Sequence, residues 1–84
     1  MNNPDATDSK YVPIDCDIHS QYELACIRRR PVRLTWVVGN VVYDQVVTPI
    51  DLQTVAHAEF LVVKLAGDAT QRVRLDHIRH MVSA

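Results

Sequence analysis

Residues 11–26 of this 84-residue chain bring together, within sixteen positions, several kinds of side chain that could do chemistry. They are two thiols, one imidazole, one serine hydroxyl and three carboxylates: Cys16, Cys26, His19, Ser20, Asp15, Asp17 and Glu23. Thiols and imidazoles can hold zinc, and a serine beside a histidine can act as a nucleophile. Each of these chemistries needs its own spacing, so the spacing decides between them.

A zinc site would use Cys16, His19 and Cys26, with a fourth ligand from one of three later histidines, which are His57, His77 and His80. The Cys-x2-His half has workable spacing, but Cys26 lies about two helical turns further on. Structural zinc sites usually bring paired ligands from two turns of the chain. The spacing therefore predicts no metal site, and no cofactor is expected.

Catalytic signatures are also missing. With only two glycines the chain has no glycine-rich loop for phosphate, and Ser20 beside His19 does not match a triad signature. We therefore predict that the protein is not an enzyme. Residues 1–9 resemble no signal peptide, and no apolar run approaches the ~18 residues of a membrane span. The expected compartment is the cytoplasm, where Cys16 and Cys26 would be reduced, buried thiols instead of a disulfide.

The same segment predicts a helix over residues 19–29. Ser20 with Glu23 three residues later has the spacing of a capping box, and Asp17 is a competing N-cap that would start the helix three residues earlier. Pro31 ends the helix.

After Pro31 the hydrophobic period changes to two, which predicts strands. Gly39-Asn40 marks a hairpin turn, and Thr48-Pro49 should end the second strand. The predicted strands are 32–38, 41–47, 59–66 and 70–75. Residues 50–58 fit either a short turn or a bent strand and are predicted mainly as a loop, and residues 76–82 fit either a closing strand or a one-turn helix. Residues 1–10 form a predicted disordered tail and residues 11–84 a single domain. The predicted fold is α+β and mostly β, with an N-terminal helix packed on a strongly bent antiparallel five-stranded sheet or small barrel.

Charge is divided unevenly along the chain. Residues 1–27 carry five carboxylates against Lys10 alone, a net −4, whereas residues 28–84 carry eight Lys and Arg against five Asp and Glu, a net +3. An acidic surface at the N-terminal end of the domain would steer the protein toward basic partners.

Several short motifs, in order, resemble the family of bacterial Rho-binding antiterminators. The opening of that family is similar to Tyr11-x-Pro13-Ile14-x-Cys16-Asp17 followed by Glu23-Leu24-Ala25-Cys26. Its second half is similar to Glu59-Phe60-Leu61-Val62-Val63, Ala66-Gly67 and Arg74-Leu75-Asp76-x-Ile78. The resemblance spans residues 11–81, nearly the whole domain.

The resemblance implies an Sm-like fold and a function. Members bind the transcription termination factor Rho, a hexameric RNA-dependent helicase, at its primary RNA-binding sites. They block RNA loading and so prevent termination, and they are not enzymes. For this chain the resemblance implies a monomer that competes with RNA for the Rho hexamer and has no membrane partner.

The family presents acidic and polar residues of its helix region to Rho. Carried onto this chain, the matching positions are Asp17, His19, Ser20 and Glu23, with Tyr11 and Asp15 nearby. Position 20 departs from the family pattern because it lacks an expected carboxylate, which Asp15 can replace. The family also uses a strand-connecting loop, which corresponds to residues 53–57.

An Sm-like RNA-binding module is the alternative function. In that case arginines would hold phosphates along the RNA backbone. The candidates are Arg28, Arg29, Arg30, Arg33, Arg72 and Arg74. Trp36 has the aromatic ring of a base-stacking platform, but it alternates in phase with Leu34 and Val38, which predicts a core position.

Overall fold

The structure is a computed structural model that describes residues 10–84. It contains one helix, α1 (Cys16–Arg28), and five strands, β1 (Val32–Val38), β2 (Val41–Val55), β3 (Ala58–Lys64), β4 (Thr70–Arg74) and β5 (Ile78–Ser83). A 3₁₀ helix, Leu75–His77, joins β4 to β5. The tail predicted for residues 1–10 lies outside the described residues, apart from Lys10.

The strands form one antiparallel sheet in the order β4-β3-β2-β1-β5, and α1 packs mainly on β2. This confirms the predicted α+β fold, a helix on an antiparallel five-stranded sheet. The arrangement is compatible with the Sm-like label. Residues 76–82 were predicted to be either a closing strand or a one-turn helix, and the structure has some of each. A 3₁₀ helix ends at His77, and the closing strand β5 begins at Ile78.

β2 is the element that the sequence did not predict. Its first half pairs with β1 up to Val47, and its second half pairs with β3 from Thr48 onward. The expectation that Thr48-Pro49 ends the strand, and that residues 50–58 are mainly a loop, is wrong. The bent-strand alternative for that segment agrees with the structure up to Val55. A register shift between Pro49 and Asp51 places the proline at a bulge, where the ladder tolerates its missing N–H.

The length of β2 requires it to bend. Fifteen residues of straight strand would span about 46–50 Å at roughly 3.3 Å per residue, whereas the described chain measures 38 Å along its longest axis. The bulge at Pro49 supplies the bend, because an extra residue in one strand increases the local twist. The bent strand wraps the sheet around a core whose fully buried members are Leu34, Trp36, Val47, Leu61, Val63, Val73 and Leu75, with Tyr22 of α1 beside them.

The helix starts earlier than predicted. It begins at Cys16 with Asp15 at the N-cap, whose backbone is extended and whose carbonyl accepts the His19 N–H at 2.9 Å. Ser20 therefore lies inside the helix, and the predicted capping box is wrong. Tyr11 and Ile14 pack against the core and fix the chain just before Asp15, so the helix can form at once.

The helix ends close to its predicted boundary. Arg29 adopts the left-handed conformation at the C-cap, with φ 50° and ψ 44°, and its N–H bonds to the Ala25 carbonyl. Cys16 is exposed and Cys26 is half-buried, and both are free thiols. The prediction of two buried thiols is therefore wrong for Cys16, because a helix starting at residue 16 points that side chain away from the core.

Candidate protein-binding surface

The outer side of the N-terminal half of α1 carries exposed carboxylates. Asp15, Asp17, Ser20 and Glu23 are all exposed, and Asp17 lies in the first helical turn, where a negative charge complements the helix dipole. Neither Asp15 nor Asp17 forms an ion pair with another residue in the described part of the chain. Their charges are therefore available to an incoming partner.

His19 connects this helix to the sheet. Its Nε2 donates a hydrogen bond to Glu59 Oε2 at 2.8 Å, and its Nδ1 lies 3.8 Å from Glu23 Oε1. The His19 side chain is 27% exposed and that of Glu59 is 36% exposed. The imidazole therefore bridges two carboxylates at the rim of the surface and fixes how the helix sits beside β3.

Glu59 is the residue of this surface that sequence reasoning missed. It lies forty residues from His19 in the chain, so local spacing could not join them. One signal was present: Glu59 has the same strand parity as Leu61 and Val63, which are fully buried. A carboxylate on the buried face of a strand needs a polar partner nearby. We define the acidic surface as Asp15, Asp17, Glu23 and Glu59.

Tyr11 lies in the segment before α1, where it is partly buried and packs against the core. The Arg74 guanidinium lies over its ring, 5.6 Å from the ring centroid. The Tyr11 hydroxyl is buried, and it has no hydrogen-bond partner among residues 10–84. Burial raises the pKa of Tyr11, and the nearby charges of Glu59 and Asp76 raise it further. The hydroxyl is thus neutral and faces the interior of the protein.

A buried ion pair anchors the segment before the helix. The Arg74 guanidinium donates to both carboxylate oxygens of Asp76, with Nε 2.9 Å from Oδ1. The Val12 N–H donates to Asp76 Oδ2 at 2.9 Å, which ties the N-terminal segment to the 3₁₀ helix. Burial alone would raise the pKa of Asp76. The hydrogen bonds from Arg74 and Val12, together with the charges of Arg74 and His77, more than offset burial and hold that pKa below its ordinary value.

The two ends of α1 carry opposite charge. Arg28, Arg29 and Arg30 are exposed at its C-terminal end, and Arg29 Nη2 lies 3.4 Å from the Ile50 carbonyl oxygen. Asp17 and Arg28 are eleven residues apart, which is about 16 Å along a helix. Since that is roughly twice the Debye length at physiological salt, Asp17 acts on a partner independently of Arg28. Glu23 is only five residues from Arg28, which is within about one Debye length, so its charge is partly offset.

The arginines proposed for RNA are divided among separate contacts. Arg33 pairs with Asp44 through two hydrogen bonds of 2.8 and 3.0 Å, and Arg74 pairs with Asp76. The hydrogen bond from Arg33 holds the pKa of Asp44 below its ordinary value. Arg72 lies over the Phe60 ring at 5.5 Å. Two of the six candidates thus already bind carboxylates.

The candidate loop over residues 53–57 is mostly strand. Gln53 and Thr54 belong to β2, and a two-residue turn at Ala56 and His57 leads into β3. Both turn residues have positive φ, 50° and 67°, in a hairpin position that usually takes Asn and Gly. A short, conformationally restricted turn is therefore the part of this segment that a partner could meet.

The residues proposed for zinc do not form a site. No group of three or more His, Cys, Asp or Glu side chains in residues 10–84 is placed to hold a metal ion. Within the same residues, α1 is neither long enough nor apolar enough to cross a membrane.

Comparison with known protein families places most of the chain in one of them. A protein-family model described as "Modulator of Rho-dependent transcription termination (ROF)" matches residues 13–84, which include all of α1 and the whole sheet. The searches of curated proteins and of solved structures found no match.

Proposed function

Because this chain belongs to the ROF family of modulators of Rho-dependent transcription termination, we propose that it acts by binding Rho itself. In this proposal it occupies the primary RNA-binding sites of the Rho hexamer, blocks RNA loading and so inhibits termination. It does so as a monomer that competes with RNA, in the bacterial cytoplasm, and it catalyses no reaction.

The acidic surface is the observation that carries this proposal. A site that binds RNA phosphates is basic, so a competing protein needs several negative charges on a compact, rigid surface. Asp15 at the N-cap, Asp17 in the first turn and Glu23 near the middle of α1 are all exposed. The contact between His19 and Glu59 holds this part of the helix against the sheet. Asp17 and Glu23 are the proposed principal contacts.

The other predicted residues differ in how directly they would contact Rho. Asp15 adds charge at the N-cap, His19 orients Glu59 and Glu23, and Ser20 lies exposed between the two principal carboxylates. Tyr11 contributes from beneath, because its hydroxyl is buried while its ring packs below Arg74. Rho would therefore contact the helix face directly and Tyr11 only indirectly.

A charge-reversal experiment tests the proposal. Asp17→Lys with Glu23→Lys should weaken binding to purified Rho by at least about tenfold at low salt, with a smaller difference at high salt, because salt screens exposed charges. The double variant should also fail to displace a labelled RNA from Rho.

The matched control is Asp44→Lys with Asp51→Lys. It changes the net charge equally, but both residues are exposed on β2 and lie outside the acidic surface. We expect it to bind Rho nearly as well as the wild type. Equal affinity of wild type and the helix double variant would remove this interface. A gel shift of RNA by a protein that does not bind Rho would support the RNA-binding alternative.

A further inference from the structure

A small cavity lies between the edge strand β4 and the β1–β2 hairpin, with a volume of about 220 Å³. Three aromatic rings line it, from Trp36, Tyr43 and Phe60. The Trp36 and Tyr43 rings are stacked, with centroids 5.2 Å apart and planes inclined by 16°. Part of the cavity wall is therefore aromatic and flat, and that part suits another flat ring.

The volume limits what could enter. An apolar cavity of about 150 Å³ holds benzene, whereas pockets for drug-sized ligands measure about 300–1,000 Å³. At about 220 Å³ this cavity fits one planar group somewhat larger than benzene. A nucleobase has that size and shape, and aromatic side chains stack with any base because every base has a π-face.

A polar side chain in the lining suits a polar ring. Gln71 lines the cavity with an amide that both donates and accepts. Base edges carry matching acceptors and donors, whereas a hydrocarbon ring does not. Trp36 is only 1% exposed, so its indole belongs to the core beneath the cavity.

The charge around the cavity favours an anion. Arg72 is exposed, lines the cavity and lies over Phe60. Arg74 also lines the cavity, but Asp76 balances its charge, so Arg72 is the cation that the lining offers to an anion. The lining residues include no Asp or Glu. A guanidinium at the mouth of the cavity can bind a phosphate through two hydrogen bonds.

We propose that this cavity binds a nucleotide, with its base against the partly exposed rings of Tyr43 and Phe60 and its phosphate at Arg72. The same chemistry is present in a free mononucleotide and in an unpaired nucleotide of RNA. The site is separate from the acidic surface, so the proposal goes beyond competition for Rho and can be tested without Rho.

Trp36 gives a direct measurement, because it is the only tryptophan in the chain. In a ¹⁵N-labelled sample it contributes a single indole N–H resonance. Titration with AMP or UMP should move that resonance saturably, with a Kd of about 1 mM or tighter. Ribose 5-phosphate, which carries the anion without the base, should leave it nearly unmoved. An indole resonance that AMP and UMP leave unmoved, or that ribose 5-phosphate moves as far, would overturn the proposal.

Arg72→Gln tests the phosphate contact without removing a core ring. It should weaken binding of AMP about tenfold, the effect of losing one charge-assisted contact, and leave binding to Rho unchanged. Arg33→Gln is the matched control, because Arg33 is exposed, is paired with Asp44 and does not line the cavity. Equal weakening by both variants would contradict the assignment of Arg72.

An oligonucleotide distinguishes the two sources of the ligand. If a six-nucleotide single strand moves the Trp36 resonance at lower concentration than the mononucleotide does, the ligand is RNA. If the mononucleotide moves it and the strand does not, the ligand is a free nucleotide, because the cavity then requires an unattached end. Either result supports a nucleotide site.

Discussion

Carboxylates occur in two regions of this protein that differ in solvent exposure and in hydrogen bonding. Asp76 is 9% exposed and accepts hydrogen bonds from Arg74 and from the Val12 N–H. Glu23 on the acidic surface is 57% exposed, and its nearest partner, His19, is 3.8 Å away. The two residues are chemically alike, but one is fully bonded inside the protein and the other is available outside it.

The difference separates structural from functional charge. A buried ion pair is costly to disrupt because one charge would remain in a low-dielectric interior, whereas an exposed charge contributes little to folding. Asp76 should therefore matter to stability and hardly to partner choice. The acidic surface should matter to partner choice and hardly to stability.

The largest expected effect is on the stability of Asp76→Asn. We expect it to lower the free energy of unfolding by about 3–5 kcal/mol, because it removes the carboxylate charge beside the buried Arg74. A domain of this length has a total stability of roughly 4–13 kcal/mol, so the loss would be obvious in urea unfolding. Asp17→Asn is the control and should change stability little. Similar losses in both variants would contradict the division into structural and functional charge.

The pH dependence of stability follows from the same pair. The pKa of Asp76 is lowered in the native state, so its ionised form stabilises the fold. That contribution is fully present above the unfolded pKa of about 3.9 and is lost as the pH falls through the lower native pKa. The difference in unfolding free energy between wild type and Asp76→Asn should therefore shrink below about pH 4. Urea unfolding at a series of pH values measures it, and a difference that stays constant into strong acid would rule out this origin.

These two regions also show what could be read from the sequence. The β1–β2 hairpin and the end of α1 were predictable because turn residues, alternation and Pro31 act locally. The path of β2 through Pro49 was not, because a proline normally ends a ladder and only tertiary pairing with β3 reveals the bulge. The position of Glu59 beside His19 depends on the same pairing. Local signals thus gave the elements, and long-range packing completed the acidic surface.

Glu59 tests whether that surface extends beyond the helix. Glu59→Gln keeps an acceptor for His19 but removes the charge, and it should weaken binding to Rho about three- to tenfold at low salt. Asp68→Asn is the control, because Asp68 is 86% exposed in a distant turn. If Glu59→Gln binds as tightly as wild type, the surface is confined to α1.

A smaller effect is expected from Tyr11→Phe. An unpaired buried hydroxyl costs about 1–3 kcal/mol, so its removal should raise the free energy of unfolding by up to about 1 kcal/mol, while the ring stays against Arg74. Binding to Rho should not change, because the hydroxyl faces inward. Thermal unfolding and a Rho titration check the two parts, and weakened Rho binding would show that the hydroxyl reaches the partner.

Ser20→Asp should have the smallest effect. It tests whether an added negative charge on the acidic surface tightens binding to Rho. Ser20 is exposed in α1, three residues from both Asp17 and Glu23, so a carboxylate there adds a third charge to the face proposed to meet Rho. The added charge repels its neighbours by a few tenths of a kcal/mol, which should lower stability only slightly. Binding to Rho should tighten about two- to threefold at low salt, since exposed charges mainly raise the association rate. Stopped-flow association with Ser20→Asn as the uncharged control measures this, and a slower association of Ser20→Asp would place Rho elsewhere on the protein.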